Sequence, residues 1–458
     1  MKQKDLYIAV DMGATKVQAS TVLACGTIVR RLKNVTPRDV GAEPIVEVIE
    51  NSIHGILEKT KADMDQVAAV GLAIPGVVDP DAGRVVFTAN AGLSGFDIGP
   101  HLHEKLKVPV VIGNDCNLGA LGEKWLGSAR DADSAMAVLV GTGIGGGFVQ
   151  GSKLWRGARE SASEIGHTVM QIGGPKCGCG NLGCFEALAS RTAIERDIRQ
   201  AIDAGRASLV TELTEGNLKL IRSGVLSKAL EQGDELVAEV LSTAAEIIGH
   251  ACISVRHLLD PEVIVLGGGV IEACSDFMVP IVERIVAADN LPGARPGGGI
   301  LVSSLGDDAV VLGAVALARL AIGENPFKKQ SVVNPTRDDL TIDGSTVCCG
   351  DKKYKRDFYI TVNGKCKALK PPLVETKKRK IELGPDDLTK ACEGGPATIF
   401  IGTGMSGKGD STDVALSRRA VLYLAQRKID VEVLSTSKAV KAYNACDGRK
   451  AALIRVEP

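Results

Sequence analysis

Between Glu164 and Glu186 (EIGHTVMQIGGPKCGCGNLGCFE), one histidine and three cysteines fall in the spacing H-x9-C-x-C-x4-C, as His167, Cys177, Cys179 and Cys184. Four soft ligands in so short a loop can close a tetrahedron around Zn2+, and the glycines at 178, 180 and 183 permit the tight turns between them. A closed four-ligand set leaves no position for water, so the expected zinc is structural. Its work would be to fold the loop and hold Glu164, His167 and Glu186 toward a cleft, where two carboxylates and an imidazole can hydrogen-bond hydroxyl groups. The competing reading of Glu164 and Glu186 is plain surface charge.

Three other stretches have the chemistry of phosphate. Asp11-Met12-Gly13-Ala14-Thr15-Lys16, Gly141–Gly147 (GTGIGGG) and Gly267-Gly268-Gly269 each follow an apolar run that reads as a strand. Glycine lets backbone N–H groups approach phosphate oxygens, and convergent amides form an anion cradle. The expected phosphate contacts are Asp11, Gly13, Thr15, Lys16, Gly141, Thr142, Gly143, Gly145, Gly146 and Gly267–Gly269. GTGIGGG lacks the Lys-Ser/Thr of a Walker loop and opens no helix with an acidic residue at dinucleotide spacing. The remaining arrangement resembles the actin and hexokinase superfamily, in which two strand hairpins grip a triphosphate from opposite lobes, with Asp11 facing the metal-bound phosphates. Asp115, in Gly113-Asn114-Asp115-Cys116-Asn117 after a strand, could take the proton from an attacking hydroxyl; an Asn-Asp turn satisfying local backbone is the alternative.

The elements that must position these groups alternate. Strands are expected at Leu6–Val10, Val17–Leu23, Val67–Ile74, Val108–Ile112, Ala135–Val140 and Val263–Leu266, and helices at Pro44–Lys59, at about Asn117–Trp125 and at Asp308–Ile322. In Pro44–Lys59 the residues Ile45, Ile49, Ile53 and Ile56 mark one buried face. The fold class is therefore α/β. With 458 residues the chain exceeds what a single core usually sustains. The expected division is a first lobe at 1–117 completed by helix 308–322, a second lobe with the zinc loop at 118–307, a linker at 323–332, and a separate small α/β domain at 333–458. No internal repeat is visible.

Composition narrows the partners. Lys plus Arg is 54 against 55 for Asp plus Glu, which gives no field for a polyanion, and only 3% of residues are aromatic, few for stacking bases. Nucleic acid is not expected as a partner. No apolar run approaches a membrane span, and Met1–Leu6 lacks a signal-peptide core, so a soluble, cytoplasmic protein without membrane partners is expected. Cys25, Cys116, Cys252 and Cys274 read as reduced core residues.

Taken together, Glu164-Ile165-Gly166-His167, the CxCGxxGCxE pattern of Cys177–Glu186, the Asp11–Lys16 turn, Gly71–Asp79 (GLAIPGVVD), Asn114-Asp115 and Gly141–Gly147 resemble, in order, the motifs of ROK-family sugar kinases over about residues 5–322. The resemblance implies a two-lobed actin/hexokinase-like (ribonuclease H-like) kinase fold and dependence on ATP and Mg2+. It implies Asp115 as base, Asn90, Asn114, Glu164, His167 and Glu186 on the sugar, and Gly267–Gly269 beside the adenosine. The implied reaction is glucose to glucose 6-phosphate, with N-acetylhexosamine, mannose or fructose as alternatives, by a homodimer or higher oligomer. The ROK group also contains sugar-responsive repressors with an N-terminal helix-turn-helix; this chain enters its first strand within six residues, so a regulator is the alternative class. Residues 333–456, through Ile399–Gly404, Val431–Leu434, Thr436, Ala439-Val440, Tyr443-Asn444 and Arg449–Val456, resemble a small domain family that includes an assembly factor of mitochondrial respiratory complex I. Gly402–Gly409 reads as a strand-to-helix loop, and Lys352–Lys380 as a solvated basic face.

Overall fold

The computed structural model describes residues 6–38, 40–88, 92–295 and 297–327, and then 340–343, 346–349, 352–361, 366–369, 381–388, 390–392, 396–404, 414–426, 429–446 and 450–456. The chain divides into two compact units, Met1–Phe327 and Lys328–Pro458. Asn90, residues 328–332 of the expected linker and residues 405–409 lie outside the described residues.

The first unit is built on two sheets of the same plan. In the first, β1 (Leu6–Met12) turns into β2 (Lys16–Leu23) and β3 (Ile28–Val35) as an antiparallel meander. Helix α1 (Ala42–Thr60) then leads to β4 (Val67–Ile74), which runs parallel to β1. A small hairpin of β5 (Val77–Asp79) and β6 (Arg84–Phe87) and helix α2 (Ile98–Leu106) precede β7 (Val110–Asn114), parallel to β4. The order is β3-β2-β1-β4-β7. Every residue of β4 is buried, as a parallel strand covered on both faces requires. Ile45, Ile49, Ile53 and Ile56 of α1 are buried as one stripe, as the spacing predicts. Lys61, in the left-handed region, closes that helix.

Helix α3 (Asp115–Trp125) connects to the second sheet, where β8 (Ser134–Val140), β9 (Ile144–Gln150) and β10 (Lys153–Leu154) form the meander. After helices α4 (Phe185–Ala189), α5 (Arg191–Asp203), α6 (Val210–Leu213), α7 (Ser223–Glu231) and α8 (Glu235–Leu259) comes β11 (Val263–Gly267), parallel to β8. Helix α9 (Gly269–Ala287) and β12 (Gly299–Val302), parallel to β11, complete the order β10-β9-β8-β11-β12. The repeat that the sequence does not display is thus one of topology. Helix α8 is long and apolar enough to cross a bilayer, but half of its apolar window is buried inside this fold, and Leu241, Ile248 and Cys252 sit in the second lobe's core.

Helix α10 (Asp308–Ala321) returns to pack on α3 and on β1, β4 and β7. The contact is backbone on backbone. A Cβ at Gly313 would lie 1.7 Å from Leu118 O, one at Gly122 2.0 Å from Ala309 O, and one at Gly71 2.2 Å from Ala314 O. Around this crossing Tyr7, Ala9, Leu118, Leu121, Ala137, Val149, Leu312 and Val315 form a single buried cluster that spans both sheets.

In the second unit, strands Cys366–Ala368, Phe358–Ile360, Lys450–Ile454, Thr398–Gly402 and Asp430–Leu434 form one sheet in that order, the last three parallel. Helix Thr436–Ala445 packs on it. Cys349 and Cys366 are joined by a disulfide that the sequence reading, which treated the cysteines as reduced or metal-binding, did not anticipate.

Candidate active site

Asp11 is the penultimate residue of β1, and the turn after it is closed by Gly13 N–H donating to Lys16 O at 2.8 Å. Thr36 pins that turn from behind: its hydroxyl donates to Gly13 O at 2.8 Å and its N–H to Thr15 O at 3.1 Å. Ala14, Thr15 and Lys16 are left exposed, and Ala14 does not take a positive φ, so its methyl is accommodated.

Asp115 stands at the end of β7, but not in a loop. The sequence places the start of α3 near Asn117; instead Asn114 caps it, accepting Asn117 N–H at 3.0 Å, so Asp115 is the first helical residue. The same Asn114 amide donates to Gly76 O at 2.9 Å, which leaves one N–H for a ligand. Burial pushes the Asp115 carboxyl up, while the Cys116 N–H, 2.9 Å from its Oδ1, holds it down. Asp11 is raised to about 6, first by burial and then by the charge of Asp115, with Lys16 opposing. The two strand-end carboxylates therefore share one electrostatic site.

The cysteine loop converges as its spacing predicts. One ligand atom from each of His167, Cys177, Cys179 and Cys184 lies within 4.8 Å of all the others. His167 Nδ1 is 3.7 Å from Cys177 Sγ, and Cys179 Sγ is 3.7 Å from Cys184 Sγ. Those edges match a tetrahedron with metal–sulfur bonds of about 2.3 Å, so the donor set fits Zn2+. Cys177 Sγ also lies 3.6 Å from Glu186 Oε1, while Glu186 Oε2 accepts Ile144 N–H at 2.9 Å. Glu186 thus joins the cysteine loop to the second glycine turn. Desolvation raises the Glu164 carboxyl; His167 pulls it down, and Asp115 and Glu186 add to the rise. Glu164 accordingly lies within electrostatic reach of His167, Asp115 and Glu186.

The second glycine run needs correction. Only Gly141–Gly143 is a turn, closed by Gly141 N–H on Gly143 O at 2.9 Å. Gly145 and Gly146 belong to β9 and stand in register with Leu139 and Val138, so they lie in the strand after the turn. They are glycine for packing: a Cβ at Gly145 would lie 2.2 Å from Cys116 Sγ, and one at Gly146 2.7 Å from Met136. The turn itself is held by residues that sequence reasoning missed. Arg191 donates to Thr142 Oγ1 at 2.7 Å, its N–H to Gly141 O at 3.0 Å, and the Thr192 hydroxyl to Thr142 O at 2.7 Å. Of the third run, Gly267 ends β11, Gly268 makes the turn at φ 87, and Gly269 already opens α9.

With this geometry in place, comparison with known proteins is informative. The profile of the ROK family matches residues 7–321. The chain belongs to the ROK family. A ROK relative, the glucokinase of Halalkalibacterium halodurans, is 32% identical over 331 residues, 70% of this chain and 97% of that one. The crystal structure of a ROK family glucokinase from Streptomyces griseus in complex with glucose and AMPPNP superposes with a TM-score of 0.61 at 32% identity, covering 69% of this chain and 99% of that chain. A regulator is also related: the DNA-binding transcriptional dual regulator NagC of Escherichia coli is 28% identical over 272 residues, 59% of this chain and 65% of that protein. The actin/hexokinase-like fold is thereby shown for the ROK part, whereas the likeness noted for residues 333–456 rests on its sequence motifs alone.

Proposed function

We propose that residues 7–321 form an ATP-dependent hexose kinase, acting on glucose to give glucose 6-phosphate, with Asp115 as general base. The observation that carries this is the position of Asp115, on a capped helix start and coupled electrostatically to Asp11 on one side and to Glu164 on the other. A carboxyl raised by burial accepts a proton more readily at neutral pH than an ordinary one. In the step, Asp115 removes the proton of the sugar hydroxyl as its oxygen bonds to the γ-phosphorus, and the bond to the β-phosphate oxygen breaks to release ADP.

Asn114, Glu164 and Glu186, together with Asn90, would orient the sugar through its hydroxyls, and His167 would use Nε2 for the same purpose while Nδ1 faces the metal site. The Gly13–Lys16 turn and Gly141–Gly143 would hold the phosphates from opposite sheets, with Gly267–Gly269 beside the adenosine. Asp11 would face the Mg2+-bound phosphates, where the ion would neutralise developing charge. The zinc loop would be purely structural. We further assign 323–332 as linker and 333–458 as a domain of its own, and expect a soluble homodimer.

A coupled ADP-release assay over glucose, mannose, fructose, N-acetylglucosamine and N-acetylmannosamine tests the reading. Turnover with glucose supports it, and turnover confined to another sugar moves the substrate. The relation to NagC gives a flat panel a definite meaning: a sugar-responsive regulator without kinase activity.

A further inference from the structure

Glu123, near the end of α3, is 1% exposed and far along the helix from the base at its first residue. Its Oε1 accepts the Ser303 hydroxyl at 2.6 Å and Leu305 N–H at 3.1 Å; its Oε2 accepts Ser128 N–H at 2.8 Å and lies 3.5 Å from Ser304 N. All four partners are donors, so the site is satisfied by an ionised carboxylate and by no amide, which would set N–H against N–H on one side. A buried carboxylate with this many donors fixes its surroundings strongly, because each donor would be orphaned without it.

What it fixes is the loop between β12 and α10. Ser303 also accepts Gly306 N–H at 3.2 Å, donates its own N–H to Leu266 O at 2.7 Å, and lies so close over the third glycine run that a Cβ at Gly267 would be 2.9 Å from its Cβ. The loop ends at Asp307, whose charge acts on both Asp11 and Glu272. Helix α3 is thus tied at its first residue to the proposed chemistry and, through Glu123 and Ser303, to the proposed nucleotide turn.

We infer that Glu123 is a positioning residue that keeps the helix carrying Asp115 in register with the nucleotide-side turn at Gly267, so that its loss weakens ATP and not sugar. The inference rests on the reading of residues 7–321 as an ATP-dependent kinase. Glu164 and Glu186 on the sugar side are held separately, by the cysteine loop and by Ile144 N–H.

The experiment measures binding of a non-hydrolysable ATP analogue and of glucose by calorimetry, with KM for each, on the full chain and on Glu123→Gln and Ser303→Ala. Glu123→Gln is expected to weaken the analogue and raise KM for ATP about 10-fold or more, with glucose affinity unchanged within about 2-fold. Ser303→Ala is expected to act in the same direction by about 3-fold, and to add less than that in the Glu123→Gln background, because the two groups share a bond. If Glu123→Gln does not fold, the Ser303→Ala split decides alone. Equal losses of ATP and glucose affinity, or ATP affinity unchanged in a folded variant, overturn the inference while leaving the kinase reading intact. Wild-type protein that binds glucose but no ATP analogue overturns both.

Discussion

The two sheets of the first unit share a plan and differ in charge. Each begins with a meander, but the first turn of one is flanked by Asp11 and Lys16, whereas the turn after β8 is Gly-Thr-Gly. The first sheet also supplies Asp115, at the end of its β7. On the second, Glu164 arrives on the inserted loop and Glu186 on the short helix α4 that ends it, and Glu186 is spent partly on Ile144 N–H. One topology thus yields an ionic half and a backbone half, and the second sheet borrows its acidity from the segment inserted after its meander, with Ile144 of β9 holding Glu186.

The sharpest test of that division is Asp115→Asn. The amide keeps the helix start but cannot take a proton, so kcat should fall by about 10²–10⁴-fold with sugar affinity nearly unchanged. A loss under about 10-fold would move the base elsewhere and erase the contrast between the halves.

Asp11→Asn comes next, with about 10²-fold lost in kcat because charge stabilisation at the phosphates goes. The same change should stabilise the ligand-free protein above pH 6. The folded carboxyl titrates at about 6 against 3.8, so the folded chain holds more protons between those values and stability falls as pH rises through that window. The asparagine removes that loss, about 3 kcal/mol in chemical unfolding at pH 8. Wild-type activity should correspondingly fall as pH drops through about 6. An inactive variant that is also less stable would make Asp11 a structural residue.

Cys179→Ser probes the borrowed half. Loosening the loop should cost about 10–100-fold in glucose affinity and remove zinc, measured by calorimetry and metal analysis, with kcat less affected. Full affinity in metal-free protein would show that the strands of the second sheet aim Glu164 and Glu186 by themselves. The smallest effect is expected from ending the chain after Phe327: activity within about 2-fold of the full chain, since every proposed site residue precedes that point. An aggregated or inactive truncation would extend the catalytic unit into the second.

Local signals were legible. The β4 run, the α1 stripe and the H-x9-C-x-C-x4-C spacing each sit within one element or loop, and the structure assembles them as the residue types demand. The failures share a cause. The packing role of Gly145 and Gly146 is not visible in the sequence, because glycine serves both approach to a ligand and approach to another chain segment, and the neighbours Cys116 and Met136 appear only in the fold. Thr36, Arg191 and Glu123 were invisible because their partners are remote in sequence and no spacing announces a single hydrogen bond. The start of α3 moved because a capping asparagine was taken for a turn residue, two roles that the same side chain fills.

The crossing of α3 and α10 has a consequence for mutational tolerance. At Gly71, Gly122 and Gly313 the space where a Cβ would stand is already filled by a carbonyl of the opposing segment, and no rotamer moves a carbonyl aside. Every other residue begins with that carbon, so the alphabet at these positions has one letter. Gly122 and Gly313 lie within helices, where glycine is ordinarily the residue an engineer replaces with alanine to gain stability. In this chain that routine improvement would pry apart the backbones that hold the two lobes together, and the plainest side chains of the molecule are among its least exchangeable.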